Sequence, residues 1–385
     1  MLFSIAEIPT PQEQLKFLKH IQQILQSGTF TSTYKFALLI SITRLAIEQG
    51  QDTGAALHLE YQDIAEKFID LYWKQSLPFQ FNHYEPFILK QATGQQAKII
   101  SEIQNAQQEF KTLAALRKDV LYWNRLKRTV ATTVKQMPVV YLQNLNGQTV
   151  EFLYCLEDSK QSLKLLPKVM YCLRQFSEII EELCQKRWID FVRLNKQNLV
   201  VLDGLPDLDE FMFAPSRNQL GQVADFLIDL QQCQCFYCGK SLKNSKYAVD
   251  HFIPWSLYPA DTGHNFVLAD EKCNSQKSNY LASQQFLHQW QERNHLHDQS
   301  IIREISQLGF LTDLQRSHRV ADWAYKQTIE NEYLVWLGGK DKQIFRSVGL
   351  IELLQNRLVE TLTYTICLRG SCFCLRVINI IDCQI

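Results

Sequence analysis

Between residues 235 and 278 the chain sets oxygen donors, an imidazole and thiols at spacings that could support metal-assisted hydrolysis. The segment reads Cys235-Phe-Tyr-Cys238-Gly239-Lys240, then Val249-Asp250-His251-Phe-Ile-Pro254-Trp-Ser256. It continues with His264-Asn265-Phe-Val-Leu268 and closes with Cys273-Asn274-Ser-Gln-Lys277-Ser278. Asp250 offers a hard carboxylate oxygen and Asn274 a neutral carbonyl oxygen. Such a pair suits Mg²⁺ or Mn²⁺, a cation that takes few protein ligands and leaves its other positions to water or phosphate. Histidine is the side chain suited to proton transfer at neutral pH, so His251 beside that carboxylate can take a proton from an attacking water. A cation, a base and a phosphodiester together make hydrolysis: the base activates water while the cation stabilises the phosphorane charge and the departing 3′ oxygen.

Singly these features mean little. An Asp-His pair in a long chain is more often a surface hydrogen bond. With eleven cysteines in 385 residues, about 0.3 CxxC pairs are expected from composition alone. The ordered conjunction is different: CxxCG, then DHxIP, then Asn265 14 residues and Cys273-Asn274 22 and 23 residues after His251.

In residue types, order and spacing this segment resembles the HNH, or ββα-metal, endonucleases, over roughly residues 233–285. The resemblance implies a first strand at 247–251 bearing Asp250 and His251, a loop, a second strand at 265–269, and a helix from Cys273 onward. It implies that Asn265, the middle letter, ties the connecting loop by side-chain hydrogen bonds. The third letter is Asn274 in place of His, still a competent oxygen ligand for the catalytic cation. Members of this family often carry a structural zinc held by two CxxC pairs. Cys235 and Cys238 form the first pair, but the residue three before Cys273 is Asp270. A Zn²⁺ on Cys235, Cys238 and Cys273, with Asp270, Cys233 or His264 completing it, stands against packed thiols beneath the hairpin. Lys277 would face the substrate side of the helix start and meet a phosphate; the competing reading is a solvated lysine.

The elements that must position these residues read as mainly α, with the small ββα-metal module inserted late, α+β overall. Residues 1–138 form a helical N-terminal region. In it Tyr61, Ile64, Ala65, Phe68, Ile69 and Tyr72 keep a helical rhythm, and 34–48 is apolar nearly all round, as a buried helix is. Residues 111–135 carry seven cations against Asp119 alone, the first place to expect contacts with a DNA backbone, although a solvated amphipathic helix is the simpler reading. Pro138 should end that helix. In 139–230, a hairpin is expected around Asn146-Gly147. A long helix opening at Pro167 should follow, with Leu173, Phe176, Ile180 and Leu183 in register, and then a linker or loop at 203–215. The nuclease module spans 231–285. Residues 286–385 should be helical and end in an apolar, cysteine-rich tail at 365–385 with no clear period.

Forty Lys+Arg balance 40 Asp+Glu, so any basic surface must be local. With 46% hydrophobic residues the chain can bury real cores. No apolar run reaches the ~20 residues of a membrane span and no secretory leader is evident, so the expected compartment is the cytoplasm. An odd number of cysteines argues against a disulfide framework. The expected function is a Mg²⁺- or Mn²⁺-dependent endonuclease acting on DNA, used by analogy in restriction or phage defence with or without a partner protein. One catalytic set per chain means that two-strand cleavage would call for a homodimer. The alternatives are a non-cleaving zinc module that binds nucleic acid, and an RNA-directed or mobile-element (homing) nuclease.

Overall fold

The computed structural model describes residues 6–27, 30–80, 85–145, 147–199, 202, 207–213 and 220–345. It is mainly helical with a few short strands, as the hydrophobic periodicity requires. The first half comprises α1 (Pro11–Ser27), α2 (Tyr34–Gln49), β1 (Leu57–Leu59), α3 (Tyr61–Gln75), α4 (Lys98–Glu109), α5 (Leu113–Lys118), α6 (Val120–Gln136) and α7 (Pro138–Tyr141). After it come β2 (Asn144–Leu145), β3 (Gln148–Thr149), β4 (Leu163–Leu165), α8 (Val169–Gln175), α9 (Ser177–Leu194) and α10 (Leu208–Phe213). Residues 34–48 of α2 are buried without exception, so this helix is the axis of the body. The face of α3 formed by Tyr61, Ile64, Ala65, Phe68, Ile69 and Tyr72 packs into the same core. Asp119 caps α6 by accepting the Tyr122 N–H, and Pro138 opens the single turn of α7.

Three expectations need adjustment. The helix read over 111–135 is broken at Asp119 into α5 and α6. The helix foreseen after Pro167 is broken at Phe176 into α8 and α9, and Leu183 lies on an exposed flank. Within 203–215, residues 208–213 are helical and bury Leu208 and Met212. The hairpin is present, with Asn144 opposite Thr149, though Asn146 itself lies outside the described residues, as does the tail at 365–385.

The second half holds α11 (Gly221–Leu230), β5 (Tyr247–His251), β6 (Phe266–Asp270), α12 (Glu271–Lys277), β7 (Leu281–Ala282), α13 (Gln284–Gln307), α14 (Leu314–Glu330), β8 (Leu334–Gly338) and β9 (Asp341–Ile344). The expected C-terminal helices are α13 and α14, but the chain then turns into strands, with β8 parallel to β7 and antiparallel to β9. Tyr237, Phe252, Phe266, Trp290 and Trp336 build a second core, to which Ile47 at the end of α2 contributes. Helix α14 lies against α2. There the Trp323 indole N–H donates to the Arg174 carbonyl at 3.0 Å, and Arg174 in turn donates to the Ala46 and Ile47 carbonyls that end α2. Among the described residues no helix is long and apolar enough to cross a membrane.

Candidate active site

Strands β5 and β6 are antiparallel, with Asp250 opposite Val267 and His251 opposite Phe266. Helix α12 follows β6 at once, capped by Asp270, whose carboxylate accepts the Lys272 N–H at 3.0 Å. This is a ββα unit. Its loop is tied by Asn265, whose Oδ1 accepts the Ile253 N–H at 2.7 Å and whose Nδ2 donates to the Ile253 carbonyl at 2.9 Å. The preceding turn is held by α13, since the Trp290 indole, Arg293 and Asn294 all donate to the His264 carbonyl.

Asp250 is buried and both of its contacts fall on one oxygen. Oδ2 accepts the Tyr237 hydroxyl at 2.6 Å and lies 3.1 Å from Lys277 Nζ, which leaves Oδ1 for a cation. Burial and the Asp250 charge push the Tyr237 phenol well above its usual range, so it stays a donor. Asn274 sits half-buried on α12, three residues before Lys277 and hence on the same helix face. An ionised carboxylate oxygen and an amide carbonyl are hard donors that fit a Mg²⁺ or Mn²⁺ ion.

His251 Nε2 meets Asp261 Oδ1 at 2.8 Å, and its ring is flanked by Trp255 and Phe266 with centroids 5.4 and 5.2 Å away. With Nε2–H donated to a carboxylate, Nδ1 is the nitrogen left to accept a proton. Asp261 escaped the sequence reading, although it is the only acid in the loop from Phe252 to Thr262. Tyr237 escaped it too, hidden as one more apolar residue of the Cys-Phe-Tyr-Cys turn.

Lys277 is not where a phosphate contact would have it. Its side chain is fully enclosed, and besides Asp250 it donates to the His251 carbonyl at 2.9 Å. Burial pulls its ammonium pKa down while the Asp250 charge resists. Lys277, at the end of α12, reaches β5, and the Asp250 carboxylate offsets its desolvation.

The sulfurs of Cys235, Cys238 and Cys273 lie within 4.8 Å of one another. Slight burial would raise the Cys238 thiol, but the Lys240 amide and the two neighbouring thiols outweigh it and hold the thiol below its ordinary range. Three converging thiols fit Zn²⁺ better than any hard cation. Asp270 is not among them: its carboxylate caps α12 and faces Lys240 at 3.7 Å. Neither is His264, which is enclosed and bonded to Asp298 at 2.9 Å. Cys233 also lies outside the group.

Residues 235–283 match the family model described as HNH endonuclease, the segment whose geometry is ββα. Residues 14–201 match a domain of unknown function (DUF8808), which covers most of the helical body. No curated protein matches the chain. The fold and the family match thus agree on a confined ββα segment similar to HNH endonucleases, set in a mainly helical chain.

Proposed function

We propose that this protein is a metal-dependent endonuclease that hydrolyses DNA phosphodiester bonds, with restriction or phage defence as its setting. The observation that carries this reading is the pairing on β5: a carboxylate with one free oxygen at Asp250 next to an imidazole at His251 held by Asp261. Asp250 and Asn274 would hold Mg²⁺ or Mn²⁺, which supplies charge stabilisation at the phosphate and at the leaving oxygen. His251 takes the water proton on Nδ1. Asp261 fixes the ring and its tautomer and favours the imidazolium that forms, the role a carboxylate plays behind a catalytic histidine elsewhere. Cys235, Cys238 and Cys273 would hold a Zn²⁺ that pins the Cys-Phe-Tyr-Cys turn, and so Tyr237, over Asp250.

Four of the seven cations at 111–135 are exposed without an acid partner among the ion pairs of the described residues: Lys111, Lys118, Arg125 and Arg128. Arg117 is bound to Asp70 at 2.5 Å, Lys127 faces Glu66 at 4.0 Å, and Lys135 donates to the Lys160 carbonyl. The four exposed residues are the expected phosphate contacts. The test is supercoiled plasmid with and without Mg²⁺, beside a structured RNA. With one catalytic set per chain, open circles should precede linear DNA, and the linear fraction should rise with protein concentration as dimers form. Cleavage of the RNA alone would overturn DNA as the substrate.

A further inference from the structure

The loop that carries Asp261 does not stand on the nuclease module alone. From Pro254, whose carbonyl accepts the Leu257 and Tyr258 N–H groups, it runs out to Tyr258 and returns through Ala260 and Asp261. Tyr258 is buried, and its hydroxyl donates to Glu48 Oε1 of α2, deep in the helical body. Burial and the Glu48 charge hold that phenol well above its usual range. Glu48, 1% exposed, is a hub: Lys67 Nζ of α3 is 2.5 Å away and Arg316 Nε of α14 3.4 Å away. Three residues beyond Tyr258 comes the carboxylate that meets His251.

The other end of the loop is fixed on the same side. The Gly263 N–H donates to the Leu311 carbonyl at 2.7 Å, and Thr262 pairs with Leu311 as a short parallel bridge. A Cβ on Gly263 would stand 2.6 Å from Ile305 Cγ2, so a larger residue would have to displace that side chain. The turn that supplies Leu311 in turn touches the body. Gly309, at φ +87°, lies so close to α5 that a Cβ would come within 2.1 Å of the Ala114 carbonyl oxygen. Asp261 is thus suspended between two anchors, and each of them rests on the segment that matches the domain of unknown function.

We propose that the helical body positions the catalytic base, with Glu48 holding Tyr258, the Tyr258 loop holding Asp261, and Asp261 holding the His251 ring. The inference rests on the reading of His251 as the base. It gives residues 14–201 a part in catalysis beyond any contact with DNA, and Tyr258, Asp261 and Glu48 become positioning residues. Displacing a reacting group by a fraction of an ångström lowers a rate without loosening substrate.

The experiment measures single-turnover cleavage of supercoiled plasmid in Mg²⁺ by the full chain and by Tyr258→Phe, Asp261→Asn, their double variant, Glu48→Gln and His251→Ala. Assays run well below each variant's melting temperature. Tyr258→Phe keeps the buried ring and leaves Glu48 its two cations. It should lower the rate at saturating protein by about 3–10-fold, with the half-saturating concentration changed by less than about 2-fold. Asp261→Asn should lower it by about 10–100-fold, and the double variant should be no slower than Asp261→Asn, because Tyr258 acts through Asp261. The proposal is overturned if Tyr258→Phe cuts at the wild-type rate while His251→Ala is inactive. It is equally overturned if the two losses multiply, or if the loss follows melting temperature alone across Tyr258→Phe and Glu48→Gln. Wild-type cutting by His251→Ala would instead remove the active-site reading itself, and this inference with it.

Discussion

Lys277 and Asp250 form an enclosed ion pair, Nζ to Oδ2 at 3.1 Å, and the same ammonium holds the His251 carbonyl at 2.9 Å. One lysine thus fixes the Asp250 carboxylate and the His251 main chain together. An unpaired charge at such a depth would be costly, so the lysine and the aspartate are each other's condition for burial.

Lys277→Met, similar in length but uncharged, should therefore act on stability first. Removing one partner of a buried pair costs about 3–5 kcal/mol, which urea unfolding would read directly. The salt dependence of DNA binding should stay as it was, because no phosphate contact is lost. A shallower salt slope with unchanged stability would return Lys277 to the substrate surface.

The thiol cluster makes a separate prediction. Purified protein should contain one zinc per chain, and Cys235→Ala or Cys273→Ser should lose it and melt at lower temperature, because a structural zinc contributes to folding. Asp270→Asn should retain the metal, since an asparagine can still cap α12. Zinc loss in Asp270→Asn would show that the carboxylate is a ligand after all.

The basic helices should divide into two kinds of cation. Arg125→Ala and Arg128→Ala should each lower the salt slope of DNA binding by about one and leave stability almost unchanged. Arg117→Ala breaks a pair with Asp70 whose side chains are 12% and 26% exposed, so its effect should appear in unfolding. Equal effects of all three on binding would mean that exposure does not sort them.

The junction between body and module should weaken in acid. Asp52 accepts from Arg174 Nε at 2.8 Å and lies 3.3 Å from Lys326 Nζ of α14. Burial would raise its carboxyl, but the Arg174 hydrogen bonds and the charges of Arg174 and Lys326 outweigh burial and hold it below the usual range. A carboxyl depressed in the folded state stabilises above its unfolded value of about 3.9, and that stabilisation fades as pH falls through the folded value. As pH falls below about 4 the wild type should lose stability more steeply than Asp52→Asn, which carries no titrating carboxyl at this position. Parallel pH profiles for the two proteins would contradict this.

Much of the fold was legible because it follows from local pattern. The buried run of α2, the face of α3, the stop of α6 and the order strand, strand, helix in the ββα segment all lie in short stretches of sequence. Phe176 broke a helix that the period alone would have carried through, and the strands after α14 gave no comparable signal. Asp250, His251, Asn265 and Asn274 stand out in the sequence through a spacing that resembles the HNH endonucleases. Tyr237, Asp261 and the Glu48–Tyr258 contact do not, because they depend on which surfaces meet in space; Glu48 and Tyr258 are 210 residues apart. Lys277 was misplaced for the same reason: spacing gave its helix face, but only the packing of α12 on β5 shows that this face is enclosed.

The proposal that His251 is the base of a metal-dependent DNA hydrolase rests on its Asp261 partner and its place beside Asp250. Its most direct test is the single-turnover rate of plasmid cleavage across a Mg²⁺ titration, wild type against His251→Ala. No cutting is expected without the metal. At saturating Mg²⁺ the rate for His251→Ala should be lower by about 10²–10⁴-fold, with plasmid binding and melting temperature unchanged. Cutting by His251→Ala at the wild-type rate, or cutting by the wild type that ignores Mg²⁺ and EDTA alike, would contradict it.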